Sequence, residues 1–188
     1  MTKTKQFSTR LIFLTSLTVF ILGSCSQSNE EDISSSVSNL SGSSNIGLIN
    51  DERIIAAESE PGNWLSHGRT YEEQRFSPLN KINKDTVKEL GLVWSKDMGT
   101  NRALESTPIV VDGIMFFTST WSRVYAVDAL TGETIWTFDP EVPGEWARKA
   151  CCDIVNRGVA VYNGKVYSAS LDGRLFSLNA ETGDKVWE

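Results

Sequence analysis

Cys151 and Cys152 are neighbours in this chain of 188 residues, and Arg157 follows the second by five residues. Adjacent Cα atoms stand 3.80 Å apart, closer than in most disulfides. A bond between these two sulfurs would close a tiny ring and cross-link almost no chain. Its use would be local: a stiff, apolar sulfur platform at a site, since strained local features tend to mark function. The other reading is two unpaired cysteines packed as small hydrophobes. Other chemistry-bearing residues are sparse. His67 is the only histidine, and no His or Cys stands near it in sequence to share a metal. It reads as a surface or turn residue. Asp153 reads as a turn residue bonding nearby backbone. Arg148 and Lys149 read as solvated.

The elements that must position these residues are repeated. Ala126-Val127-Asp128-Ala129-Leu130-Thr131-Gly132-Glu133-Thr134-Ile135-Trp136 matches the stretch Ser177 to Trp187 at an offset of 51 residues. The same offset aligns Asp112-Gly113 with Asn163-Gly164, and a degenerate earlier copy ends at Leu92-Val93-Trp94. Asp-Gly and Asn-Gly between apolar runs are hairpin signals. Each unit is predicted as four short strands. In the first copy these are Ile109 to Val111, Ile114 to Thr118, Val124 to Val127 and Thr134 to Phe138. Four antiparallel strands per repeat make a propeller blade. Trp94, Trp136 and Trp187 hold one place in the outer strand and are expected to pack between blades. Trp121 and Trp146 could lie near the propeller's mouth. Two full repeats cannot close a ring and would leave edges exposed, so the chain is expected to be the N-terminal part of a longer protein.

Composition is that of a globular chain, 40% hydrophobic and 22% charged. Acidic residues outnumber basic ones 24 to 18, which leaves no electrostatic footprint for nucleic acid. The N-terminus reads as a targeting segment. Lys3, Lys5 and Arg10 precede an apolar run from Leu11 to Gly23 that is short for a bilayer span. Leu22-Gly23-Ser24-Cys25 has the order of a bacterial lipobox, with Cys25 lipidated after removal of residues 1–24. A plain signal peptide or a retained anchor are the alternatives. The two remaining cysteines suit an oxidising envelope compartment. Residues 25–60, rich in Ser, Asn and acidic residues, read as a lipidated flexible tether. The folded body is expected over residues 61–188.

Three stretches carry a family resemblance. They are Trp64-Leu65-Ser66-His67-Gly68-Arg69-Thr70-Tyr71-Glu72-Glu73-Gln74-Arg75-Phe76-Ser77-Pro78-Leu79, Leu104-Glu105-Ser106-Thr107-Pro108, and Cys151-Cys152-Asp153-Ile154-Val155-Asn156-Arg157-Gly158. Together they resemble the N-terminal part of pyrroloquinoline quinone (PQQ)-dependent alcohol dehydrogenases, and the Ala-x-Asp-x-x-Thr-Gly-x-x-x-Trp repeat is similar to that family's tryptophan-docking motif. The resemblance spans residues 62–188. It implies an all-β propeller of about eight blades in full, with about two blades plus a closing strand in this chain.

By resemblance, Cys151 and Cys152 form a disulfide lying against one face of the planar quinone. Arg157 resembles the cation at the cofactor's edge, where a planar guanidinium can grip a carboxylate through two hydrogen bonds. On its own it could instead pair with Asp153 at the surface. Glu105 resembles a residue that hydrogen-bonds the cofactor's edge; it could instead be a solvated charge. The family's catalytic Asp and its Asn and Glu metal ligands would lie beyond residue 188, so no metal ligand is assigned here. The implied activity is oxidation of alcohols to aldehydes or ketones by hydride transfer to PQQ, assisted by Ca2+ or a lanthanide. The implied acceptor is a periplasmic one such as a cytochrome c, and the implied location is the periplasmic side of the cell envelope, lipid-anchored to membrane. Two other readings share the repeats: a non-catalytic propeller lipoprotein serving as scaffold or assembly factor, and a PQQ enzyme for a polyol.

Overall fold

The computed structural model describes residues 46–188. The lipobox at Cys25 and most of the expected tether lie outside them. Eight short strands form two antiparallel sheets of four. The first holds β1 (Ile109–Val111), β2 (Ile114–Thr118), β3 (Val124–Asp128) and β4 (Thr134–Phe138) in sequential order. The second holds β5 (Ala160–Tyr162), β6 (Lys165–Ala169), β7 (Leu175–Asn179) and β8 (Lys185–Trp187), again in order. Each is the up-and-down sheet of a propeller blade, and the strand limits fall within a residue of those expected from the repeat.

Local chemistry explains each sheet. At both inner hairpins the two turn residues take positive φ: Asp112 at 53° and Gly113 at 80°, Asn163 at 49° and Gly164 at 70°. Turns of that hand match the twist of the flanking strands. The β3–β4 turn is held by the Asp128 carboxylate, which accepts from Leu130 N at 2.9 Å and Thr131 N at 2.7 Å. Asn179 repeats the device, accepting from Glu181 N at 2.8 Å and Thr182 N at 3.0 Å. Residues on β1 and β2 alternate between buried and half-buried. Phe116, Val124 and Ala126 of the first sheet, with Val166, Phe176 and Leu178 of the second, form one apolar core.

Trp136 joins the two sheets. It is 8% exposed. Its indole N–H donates to the Ala180 carbonyl at 2.9 Å, and its ring covers the turn at Gly183. Trp94 does the same one unit earlier, donating to Ala129 O at 3.2 Å above Gly132. Only glycine suits the covered position. Gly183 has φ +77°, and a Cβ there would meet the Trp136 ring at 2.7 Å. Trp187, 43% exposed, has no such turn to cover among the described residues.

Two expectations need revision. The ordered body does not begin at Pro61. Ile49 is fully buried and Ala57 nearly so, and both belong to the core. A short helix, α1 (Asp51–Ile55), is capped by Asn50, whose side chain accepts from Arg53 N at 2.9 Å. Arg53 then pairs with Glu60 at 2.6 Å and with Asp112 at the β1–β2 turn at 2.9 Å. At the other sheet, Asn163 N donates to Ile49 O at 2.8 Å. The polar average of residues 46–60 hid a few apolar anchors. The second revision concerns the copy ending at Leu92-Val93-Trp94. It forms no strand among the described residues, and only Trp94 docks, while Leu92 and Val93 are 83% and 82% exposed. One residue does extend the first sheet: Trp64 pairs with Val110 through reciprocal backbone bonds of 2.7 and 3.1 Å.

Gly183→Ala should destabilise the protein by about 2–4 kcal/mol, combining left-handed backbone strain with ring overlap. Gly113→Ala, where φ is +80° but the space is open, should cost only about 1–2 kcal/mol. Thermal unfolding of the two variants side by side checks the difference; equal losses would mean that ring overlap adds nothing.

Candidate functional site

The segments 102–107 and 151–158 run alongside one another. Three contacts tie them in order. Arg102 pairs with Asp153, 51 residues on, at 2.8 Å. Arg157 pairs with Glu105 at 3.1 Å. Thr107 N donates to Arg157 O at 3.1 Å, within a parallel bridge between Thr107 and Gly158. The spacing is that of the repeat, so equivalent points of consecutive units lie next to each other. Their close approach requires Gly158: its φ is +123°, and a Cβ would meet Thr107 O at 2.8 Å.

The cysteine loop is pinned by its own residues. Cys151 and Cys152 are bonded to each other and exposed, so they are not packed as hydrophobes. Two residues on, Ile154 is 1% exposed and anchors the loop, and its carbonyl accepts from Trp121 N at 3.0 Å. Trp121 (φ 61°) and Ser122 (φ 57°) take left-handed backbone at that contact. Such conformations persist only where surrounding structure enforces them.

Asn156 is the hub that sequence reasoning missed. Its side-chain oxygen accepts from Thr118 Oγ1 at 3.1 Å and from Gly158 N at 3.0 Å. Its amide nitrogen donates to Ala169 O at 2.8 Å. One side chain therefore ties the loop to β2 and β6, immediately before Arg157. Ser106 contributes from the other segment, accepting from Thr118 N at 2.9 Å.

The structure thus brings Glu105 and Arg157 together and places Asp153 with Arg102, not with Arg157. The Glu105–Arg157 pair is open to water, with side chains 41% and 69% exposed. A pair this exposed contributes little stability. Its importance is the direction in which it points: the Arg157 guanidinium makes no other ion pair or side-chain hydrogen bond among the described residues. Its remaining N–H groups are free to grip an anion. Beside it lies a hollow of about 450 Å³ lined by Ser122, Asn156, Arg157, Gly158, Ser170 and Leu171, among others. Ser170 is set by its bond to Asp172. Arg174, bonded to Asp172 at 2.9 Å, holds that carboxyl below its usual range. Arg157 is thus held at the rim of this hollow by Glu105, while the bonded Cys151–Cys152 pair stands exposed five residues earlier on the same segment.

The other sequence candidates stand apart. Trp64 Nε1 donates to the His67 carbonyl at 3.2 Å, and no cluster of metal-ligating side chains occurs among the described residues. Lys149 lies over the Trp146 ring at 4.2 Å and pairs with Glu145.

Residues 64–188 match the family model described as PQQ: glucose/ethanol/alcohol dehydrogenase, β-propeller domain. A curated relative, the dehydrogenase subunit of an alcohol dehydrogenase (quinone) from Komagataeibacter europaeus, is 55% identical over 136 residues, covering 72% of this chain and 18% of its own length. The 1-butanol dehydrogenase (cytochrome c) of Thauera butanivorans is 55% identical over 127 residues, covering 68% and 18%. Among solved structures, a quinohemoprotein alcohol dehydrogenase of Pseudomonas putida aligns with TM-score 0.74 and 53% identity, over 76% of this chain and 21% of the other. A europium-containing methanol dehydrogenase aligns with TM-score 0.68 and 39% identity, over 73% and 24%. The chain therefore spans about a fifth of the length of these curated relatives.

Asn156→Ala should cost about 1–3 kcal/mol, because it strips partners from partly buried polar groups, and should speed amide exchange at Gly158. Arg102→Ala, which breaks only an exposed ion pair, should cost under about 1 kcal/mol. Thermal melts and hydrogen exchange of both variants read the contrast.

Proposed function

Because the chain belongs to the PQQ glucose/ethanol/alcohol dehydrogenase β-propeller family, we propose that it is part of an alcohol-oxidising quinoprotein and supplies one edge of the cofactor site. The observation that carries this reading is the ordered edge itself. The bonded Cys151–Cys152 pair, Arg157 and Glu105 come from two segments held side by side. When bound, PQQ would supply a planar, carboxylate-bearing acceptor for the two electrons removed from an alcohol.

In this proposal the chain's own residues do the positioning. The Cys151–Cys152 pair offers a rigid apolar face on which a flat ring can lie without hydrogen-bonding demands. Arg157 offers a planar fork of donors to a carboxylate at the ring's edge. Glu105, paired with Arg157, orients that fork and accepts hydrogen bonds at the same edge. Asn156 and Gly158 keep Arg157 from swinging away. Ca2+ or a lanthanide would be held by ligands outside the described residues, as would the base that takes the alcohol proton. The europium in a related methanol dehydrogenase supports a lanthanide as one candidate. The cytochrome c in the name of the Thauera relative supports a cytochrome acceptor. We place the protein on the periplasmic side of the envelope, anchored through Cys25, with an aldehyde or ketone as product.

The test uses the full-length apo-protein with PQQ, with calcium or a lanthanide, and a panel of primary alcohols, reading dye reduction. Turnover that needs both quinone and metal is expected; no turnover with any alcohol would remove the reading. Two variants probe the edge. Arg157→Lys should weaken PQQ binding by about tenfold or more, near 1.4 kcal/mol, because Lys lacks the planar fork. Cys151→Ser combined with Cys152→Ser should leave the melting temperature nearly unchanged and lower kcat. Unchanged kinetics in the cysteine variant would dismiss the platform role.

A further inference from the structure

Away from that edge, Arg69 occupies an unusual position. It is 5% exposed. Its Nε has no hydrogen-bond partner, and its only side-chain bond is a long one, 3.4 Å from Nη2 to the Ala57 carbonyl. No carboxylate lies within ion-pairing distance among the described residues. A guanidinium carries five N–H donors. Burying one without an anion is costly.

The backbone at Arg69 is held in a left-handed turn. Its φ is 73°. Its N–H donates to Ser66 O at 3.0 Å, and Arg75 N closes the next turn on Gly68 O at 3.1 Å. The side chain borders a hollow of about 370 Å³, whose other walls include Glu58, Thr70, Gln74, Phe76 and Pro78. None of these residues belongs to the Glu105–Arg157 edge. The hollow offers a buried cation, a largely buried Thr70 hydroxyl, an amide from Gln74 and an apolar wall from Phe76 and Pro78. Glu58 lines the same space but makes no ion pair with Arg69 among the described residues.

We infer that this hollow is a carboxylate-binding site, with Arg69 as the residue that receives the carboxylate. The carboxylate comes either from a part of the protein outside the described residues or from a small free acid, and the two sources separate experimentally.

The experiment compares thermal unfolding of the full-length protein, Arg69→Met and Arg69→Lys, each in sodium acetate and in sodium chloride at equal ionic strength. A carboxylate from the chain makes Arg69→Met less stable than Arg69→Lys by at least tenfold in the folded-to-unfolded ratio, in both salts. A free acid makes acetate raise the melting temperature of the parent protein but not of Arg69→Met. Arg69→Met as stable as the parent or more so, with no acetate effect, overturns the inference, because that is the behaviour of a buried charge with no partner. Should neither variant fold, a crystal structure of the parent protein grown in acetate decides. Carboxylate oxygens about 2.7–2.9 Å from the guanidinium support the site; water alone in that position overturns it.

Discussion

The contact on which the rest depends is an indole ring lying over a glycine turn. Trp136 leaves the outer strand of one sheet and closes the β7–β8 turn of the next, with one hydrogen bond to Ala180 and no room for a Cβ at Gly183. Through this contact the second sheet has a defined place relative to the first. Phe138 and Phe176 extend the same seam, their ring centroids 5.2 Å apart. Once the sheets are set, the two segments that carry Glu105 and Arg157 fall into parallel alignment. The site is thus a by-product of the repeat, since residues separated by one period meet where consecutive sheets meet.

This arrangement divides labour in a way that suits a cofactor protein. The strands and tryptophans are spent on rigidity. The residues that could touch a ligand lie on irregular segments, each pinned by a few strong local contacts: Ile154 in the core, Asn156 between β2 and β6, Gly158 against Thr107. Exposed charge is then free to face outward without holding the fold together.

Much of the fold was legible in the sequence because it rests on short-range chemistry. Asp112-Gly113 and Asn163-Gly164 declare their hairpins through backbone conformations few other residues accept, and the Trp-to-turn spacing declares the seam. The sulfur pair and Arg157 stood out by residue type alone. Less visible was anything requiring a partner from a distant segment. The pairing of Arg157 with Glu105 was implicit in the offset of 51, which brings residue 105 opposite residue 156, but only with the geometry of adjacent units in view. Asn156 drew no attention because one amide looks like any other until its three partners are seen. The packing of residues 46–60 was hidden for another reason: Ile49 and Ala57 are few among polar neighbours, and average composition dilutes them. Nothing in the sequence marked Arg69, since the burial of a charge is a property of three-dimensional surroundings.

The adjacency of Cys151 and Cys152 has a thermodynamic corollary. A cross-link stabilises a fold chiefly by restricting the unfolded chain, and the restriction grows with the loop it closes. Here the loop is as short as sequence allows, and the residue that ties the segment to the core is Ile154. Oxidation and reduction of the pair are therefore nearly decoupled from folding. A reductant would alter the shape and polarity of one small patch and leave the two sheets standing, so a change of redox conditions can act on the patch without endangering the protein that carries it.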